Sequence, residues 1–193
     1  GNFNNLSKTL SDFNNNLGSV TLGIISEDAD TSDGDVPWTY QVENNLIQYL
    51  AANQTKTEVF TLTISDDNGG TTTQNVTATI TGANDAPVVA AIDVTGAVTE
   101  LLTASGNLTD FGTIGFTDVD LADVHTVSAV APSASSLGTL SVVKTTDTTG
   151  SGTGGLLTWN YSVAASAVEY LAKDQTKVES FTFSVSDGQG GTV

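Results

Sequence analysis

Phe60-Thr61-Leu62-Thr63-Ile64-Ser65 alternates apolar and polar residues without a break, and so does Phe181-Thr182-Phe183-Ser184-Val185-Ser186. Successive side chains of a strand point to opposite faces, so each hexapeptide reads as a strand with one face in a core and one in water. The two lie 121 positions apart, and the match spreads outward from them. Trp38-Thr39-Tyr40 pairs with Trp159-Asn160-Tyr161, Tyr49-Leu50-Ala51 with Tyr170-Leu171-Ala172, and Gln54-Thr55-Lys56 with Gln175-Thr176-Lys177. Glu58 pairs with Glu179, Ser65-Asp66 with Ser186-Asp187, and Gly69-Gly70-Thr71 with Gly190-Gly191-Thr192. Leu17-Gly18-Ser19-Val20 is echoed by Leu137-Gly138-Thr139-Leu140 at an offset of 120. The chain is a tandem repeat with a period near 120.

Each copy predicts several short strands. Val76, Ala78 and Ile80 alternate with threonines, and Trp159, Tyr161 and Val163 with Asn160 and Ser162. Gly112–Thr117 reads as a second strand of the later copy. Thr and Val favour the pleated surface, while Gly, Asn and Asp gather between the runs. Asn44–Ala51 and Ser166–Ala172 read as single helical turns. The predicted fold is all-β, a tandem pair of antiparallel β-sandwiches, with repeats at 1–83 and 84–193. The first repeat is expected to lack its opening strands and the second its last strand. Residues 1–16 match nothing in the second copy. A start at Gly1 and the lack of a signal peptide read as a segment of something longer.

Charge excludes several functions. Among 193 residues, 22 Asp and Glu face five lysines and no arginine, for a formal charge of −17. The lysines are scattered, so no basic groove for nucleic acid and no anionic-membrane surface is expected. No apolar run approaches the roughly 20 residues of a membrane helix. With no cysteine, disulfides, thiolate metal sites and thiol nucleophiles are excluded. The acid excess points instead to bracing by a divalent cation.

Taken in order, these motifs resemble a known family. Thr81-Gly82-Ala83-Asn84-Asp85-Ala86-Pro87 is similar to the joining segment of VCBS repeats, cadherin-like modules of giant RTX-type bacterial surface adhesins. Phe116-Thr117-Asp118-Val119-Asp120 with His125-Thr126-Val127, then Trp159-Asn160-Tyr161, Tyr170-Leu171-Ala172 and Ser184 to Gly191, continue the likeness from Leu17 to Val193. The resemblance implies a secreted, cell-surface adhesin segment without enzymatic activity. Its sandwiches would be strung in series with neighbouring repeats of the same polypeptide and stiffened by calcium. It would serve adhesion or biofilm formation, with any surface glycan contacted through other domains.

Calcium takes six to eight oxygen ligands, so several loops must converge. In a sandwich the loop after the second strand lies beside the incoming segment, as does the hairpin before the last strand. Asn84, Asp85, Asp118, Asp120 and Asp187 are therefore the expected ligand set, and cadherin-like modules hold calcium at such junctions. Asn84–Pro87 is also an ordinary turn sequence, and Asp66 and Asp187 occupy hairpin positions that favour Asp anyway. Glu100 would serve a junction at the opposite end, and Glu58 is either a ligand or a surface residue. The Asp28, Asp30, Asp33 and Asp35 group, replaced largely by Ser, Thr and Gly around Asp147, reads as a solvated loop. His125 reads as lining a strand, and Trp38 and Trp159 as core residues. A carbohydrate-binding module is the alternative, and an accessory β-domain of a secreted hydrolase a third.

Overall fold

The computed structural model describes residues 6–11, 15–27, 34–66 and 68–193. Apart from two single 3-10 turns, its regular elements are strands, all paired antiparallel. Asp28, Asp30 and Asp33 lie outside the described residues, and Asp35 is exposed. The chain divides into two compact units, Gly1–Gly82 and Ala83–Val193.

In the first unit the strands are β1 (Ser7–Ser11), β2 (Ser19–Leu22), β3 (Ser26–Glu27), β4 (Gly34–Asp35), β5 (Trp38–Gln41), β6 (Thr55–Ser65) and β7 (Thr71–Thr81). A three-stranded sheet runs β1-β6-β7, and β2 pairs with β5. The alternation in β6 and β7 does what it predicts, burying Phe60, Leu62, Val76, Ala78 and Ile80. The β6–β7 ladder is continuous, from Ser65 opposite Thr71 to Thr55 opposite Thr81.

The second unit holds β8 (Val88–Ile92), β9 (Asn107–Thr117), β10 (Thr126–Val127), β11 (Ala131–Pro132), β12 (Thr139–Thr146), β13 (Gly155–Ala164), β14 (Phe181–Thr182) and β15 (Val185–Ser186). One sheet runs β12-β13-β9-β8, while β10 pairs with β15 and β11 with β14. Ile114, Phe116, Leu157, Trp159 and Val185 form its main core cluster. Strand β9 begins at Asn107, five residues ahead of the expected Gly112. The two predicted helical turns shrink to Asn44–Leu46 and Ala165–Ala167.

Two equivalent residues part company. Trp159 is 5% exposed, packs against Gly112, and donates its indole N–H to the Asp93 carbonyl at 2.6 Å. Trp38 is 45% exposed, which corrects the core reading. The reason is the neighbouring strands. β13 is flanked by both β12 and β9, whereas among the described residues β5 has β2 alone.

Candidate metal centre

Strand β9 ends at Thr117, and the chain turns at once through Asp118, Asp120 and Asp123. Local bonds wind this loop: the Asp120 N–H donates to Asp118 Oδ1 at 2.9 Å, and the Asp123 N–H to the Asp120 carbonyl at 3.2 Å. The glycine-rich β12–β13 hairpin clamps it from outside. Asp118 N–H donates to the Gly152 carbonyl and Gly150 N–H to the Leu121 carbonyl, with Gly150 and Gly152 at positive φ. That backbone shape is why glycines stand there.

The winding buries all three carboxylates and leaves one oxygen of each within 4.8 Å of the others. Two further segments reach them. The Asp85 N–H donates to Asp120 Oδ2 at 2.7 Å. Asn84 Nδ2 donates to Asp187 Oδ2 at 2.9 Å. Asp187 Oδ1 is held in its own turn by the N–H groups of Gln189 and Gly191, at 2.7 and 3.0 Å. The expected residues Asn84, Asp85, Asp118, Asp120 and Asp187 thus lie in one bonded neighbourhood. Asp123 is the member that sequence reasoning missed, although its spacing three after Asp120 was there to be read.

Three buried oxygens in this neighbourhood have no hydrogen-bond partner: Asn84 Oδ1, Asp120 Oδ1 and Asp123 Oδ2. Buried acceptors are almost always satisfied, because stranding one costs its full hydration. Three such acceptors, on residues from two segments joined by the Asp85–Asp120 bond, are left without a donor. Burial, then the neighbouring charges of Asp118, Asp85 and Asp187, push the Asp120 carboxyl above its ordinary value against the Asp85 N–H bond. Burial, then Asp120, Asp118 and Asp187, do the same to Asp123. Asp187 goes the other way: burial would raise it, but Asn84 and the N–H groups of its turn hold it low.

His125 accounts for the second flank of Asp118. Fully enclosed, it sets Nε2 3.0 Å from Asp118 Oδ2 and Nδ1 2.8 Å from Asp147 Oδ1, with its ring edge-on to Phe116. Lys144 bonds both Asp147 and the His125 carbonyl. Burial would raise Asp147, yet Lys144, His125 and two backbone N–H groups hold it down at about 2. Both imidazole nitrogens are therefore committed to carboxylates. What remains toward the aspartates is oxygen alone, which suits hard cations such as calcium and not zinc or copper. A carboxylate oxygen carries two lone pairs, so the bonded oxygens of Asp118 and Asp187 can still face an ion.

Three expected ligands do not join this neighbourhood. Glu58 is buried, with Leu17 N–H and Gly18 N–H at 2.7 and 3.0 Å and the Tyr40 hydroxyl at 2.8 Å. The surface reading of Glu58 is corrected: it is buried, and its carboxylate accepts from donors on a loop 40 residues away. Asp66 closes its own turn onto Asn68 and Gly70 in the first unit. Glu100 is exposed in the loop between β8 and β9. No protein-family model matches the chain, and no curated protein does.

Proposed function

We propose that the second unit binds calcium through Asp118, Asp120 and Asp123, with Asn84, Asp85 and Asp187 completing the shell. We propose further that the chain is a non-catalytic extender segment of a secreted bacterial surface adhesin, of the VCBS type that its motifs resemble. The observation that carries the metal reading is the trio of stranded oxygens on Asn84, Asp120 and Asp123. A divalent cation satisfies all three at once and offsets both the burial and the mutual repulsion that raise Asp120 and Asp123. Asn84 and Asp85 belong to the segment that leads into β8, so an ion here ties that segment to the sandwich body. In an array of such repeats, ordering each connecting segment is what stiffening requires. Metals other than calcium are disfavoured by the donors: magnesium demands a near-ideal octahedron and keeps its waters.

Calorimetric titration of the full chain with calcium tests the reading, with magnesium and zinc as comparisons. A saturable calcium site is expected, abolished in Asp123→Asn. The same substitution should raise the melting temperature in chelator, because it removes a charge that has no partner without the ion. A variant that binds calcium as the parent does would overturn the site. Destabilisation in chelator would show Asp123 to be a structural residue instead.

A further inference from the structure

The turns Asp66-Asp67-Asn68-Gly69-Gly70 and Asp187-Gly188-Gln189-Gly190-Gly191 occupy equivalent positions in the two repeats. They close alike: the Asp66 N–H donates to the Gly70 carbonyl at 3.1 Å, and the Asp187 N–H to the Gly191 carbonyl at 3.2 Å. In both, the backbone N–H of the amide residue donates to the aspartate Oδ1, at 2.9 Å from Asn68 and 2.7 Å from Gln189. The residue that follows is a glycine at positive φ, 95° at Gly69 and 115° at Gly190. The amide side chain, however, is one methylene shorter at Asn68 than at Gln189.

That methylene decides a reaction. Side-chain amides are the thermally labile groups of a chain without cysteine or methionine, and they are lost when the next backbone nitrogen attacks the amide carbon. At Asn68 this attack closes a five-membered ring, whereas at Gln189 it needs a six-membered ring that forms far more slowly. A Cβ on the attacking residue hinders the approach, and glycine has none. Asn68-Gly69 is the one Asn-Gly pair in the chain. No atom lies within 4 Å of where a Cβ on Gly69 would stand, and both residues are exposed. Among the described residues the Gly69 N–H donates to no acceptor, whereas the Gly190 N–H is turned to the Asp187 carboxylate. One bond holds the Asn68 side chain, from Nδ2 to the Asp66 carbonyl at 3.0 Å.

We propose that Asn68-Gly69 is a self-modifying site, at which the chain converts Asn68 to isoaspartate without an enzyme. The Gly69 nitrogen gives its proton to solvent base and bonds to Asn68 Cγ. The Cγ–Nδ2 bond breaks, and Nδ2 leaves as ammonia with a proton from solvent. Water then opens the cyclic imide. Opening at the Asn68 main-chain carbonyl leaves the backbone running through Cβ and Cγ, and opening at Cγ leaves ordinary aspartate. Either product adds a negative charge beside Asp66, and the first also lengthens the turn by one methylene. The Asn68 and Gly70 N–H groups, at 2.9 and 2.8 Å from Asp66 Oδ1, then lose the spacing that lets them share it. A hairpin's register is fixed by its turn, so the β6–β7 ladder loosens at its Ser65–Thr71 end. The inference is independent of the metal reading, because this turn lies in the first unit.

The test holds the full chain at mildly alkaline pH, in buffer and in urea. Peptide mass mapping and enzymatic methylation of isoaspartyl carboxylates follow the product. The peptide holding Asn68 should gain the mass of –NH2 exchanged for –OH and accept methyl groups, faster as pH rises. Its rate in buffer should fall within about tenfold of that in urea, as for a turn that opens locally at little cost. Peptides holding Gln189 or Asn84 should stay unconverted over the same period. The converted chain should exchange its amide protons at Gly70 to Thr72 faster than the fresh chain. Asn68→Gln should abolish methyl acceptance and keep the fresh chain's exchange rates. A rate in buffer more than about tenfold below that in urea would show that the folded turn protects Asn68, and would overturn the proposal. So would conversion at Gln189 or Asn84 as fast as at Asn68, or unchanged exchange in the converted chain.

Discussion

Glu58 and Glu179 are the same device built twice. Glu179 Oε1 and Oε2 accept from the N–H groups of Leu137 and Gly138 at 2.6 and 3.0 Å, and Oε2 also accepts from the Tyr161 hydroxyl. Each lysine two residues earlier sits just within ion-pair range, at 3.8 and 3.9 Å. Burial would raise both carboxyls, but the two N–H donors, the tyrosine and the lysine outweigh it, so both lie below the ordinary 4.5. Burial, then the bond to the glutamate and its charge, lifts the Tyr40 and Tyr161 hydroxyls to about 12. A lowered carboxyl stabilises the fold above its unfolded value and loses that contribution as pH falls through its folded value. Glu58→Gln should therefore cost about 1–3 kcal/mol at neutral pH, by stranding donors. In denaturant titrations the gap between parent and variant should close below pH 4.5. A gap that stays constant to pH 3 would mean that the carboxylate charge is not what the loop holds. Nothing near Glu58 in sequence announces this role, since its partners Leu17 and Gly18 come from the far end of the unit.

The turn closed by Asp66 in one copy and by Asp187 in the other has the same local bonds, but only the second borders the proposed ligands. Both aspartates accept N–H bonds from the residues two and four ahead, through the same Oδ1. Gly69 and Gly190 take positive φ, which glycine tolerates best. In the second unit the free side of the turn meets the leading segment: a Cβ on Gly191 would stand 2.0 Å from Asp187 Oδ2 and 2.8 Å from the Ala86 backbone. Gly191→Ala must therefore displace Asp187 or the chain beside Asn84. The expected result is a calcium affinity weakened at least about tenfold, corresponding to 1.4 kcal/mol. Gly70→Ala in the first unit meets only the Asp66 side chain and should leave calcium binding unchanged. Equal affinity in both variants would separate Asp187 and the Asn84 segment from the ion.

At this scale much was legible in advance. The alternation of β6, β7 and β13 and the 121-residue offset announced strands and repeats, because a half-buried strand imposes its period directly on the residues. Asp118, Asp120 and Asp187 could be placed near Asn84 and Asp85 from the order of strands alone. Asp123 falls outside the Asp118-x-Asp120 pattern, and it is the winding of the loop that carries this third carboxylate inward. His125 was read as strand lining because its partners, Asp147 and Lys144, arrive on β12 and its following hairpin. Trp38 differs from Trp159 because, among the described residues, β5 pairs with β2 alone while β13 pairs on both edges. Packing depends on which strands stand beside a residue, and that is a property of the unit.

For the whole molecule, charge is the term to be offset. Twelve carboxylates and three lysines give the second unit −9 of the total −17, and the rest falls in the first. Self-repulsion of this size opposes compaction. A cation bound only by the native state contributes RT ln(1 + [L]/Kd), about 2.7 kcal/mol at a hundredfold excess over Kd. For a unit of this length that is on the order of 10 °C in melting temperature. The proposed ligands all lie in Ala83–Val193, so the effect should be unequal. Calorimetric scans in chelator and in calcium should show one transition moving up by that amount, while the transition of Gly1–Gly82 shifts much less. Raising sodium chloride in place of calcium screens charge throughout and should move both transitions together. Calcium acting in that same uniform way would identify general screening, and it would remove the case for a discrete site at Asp118, Asp120 and Asp123.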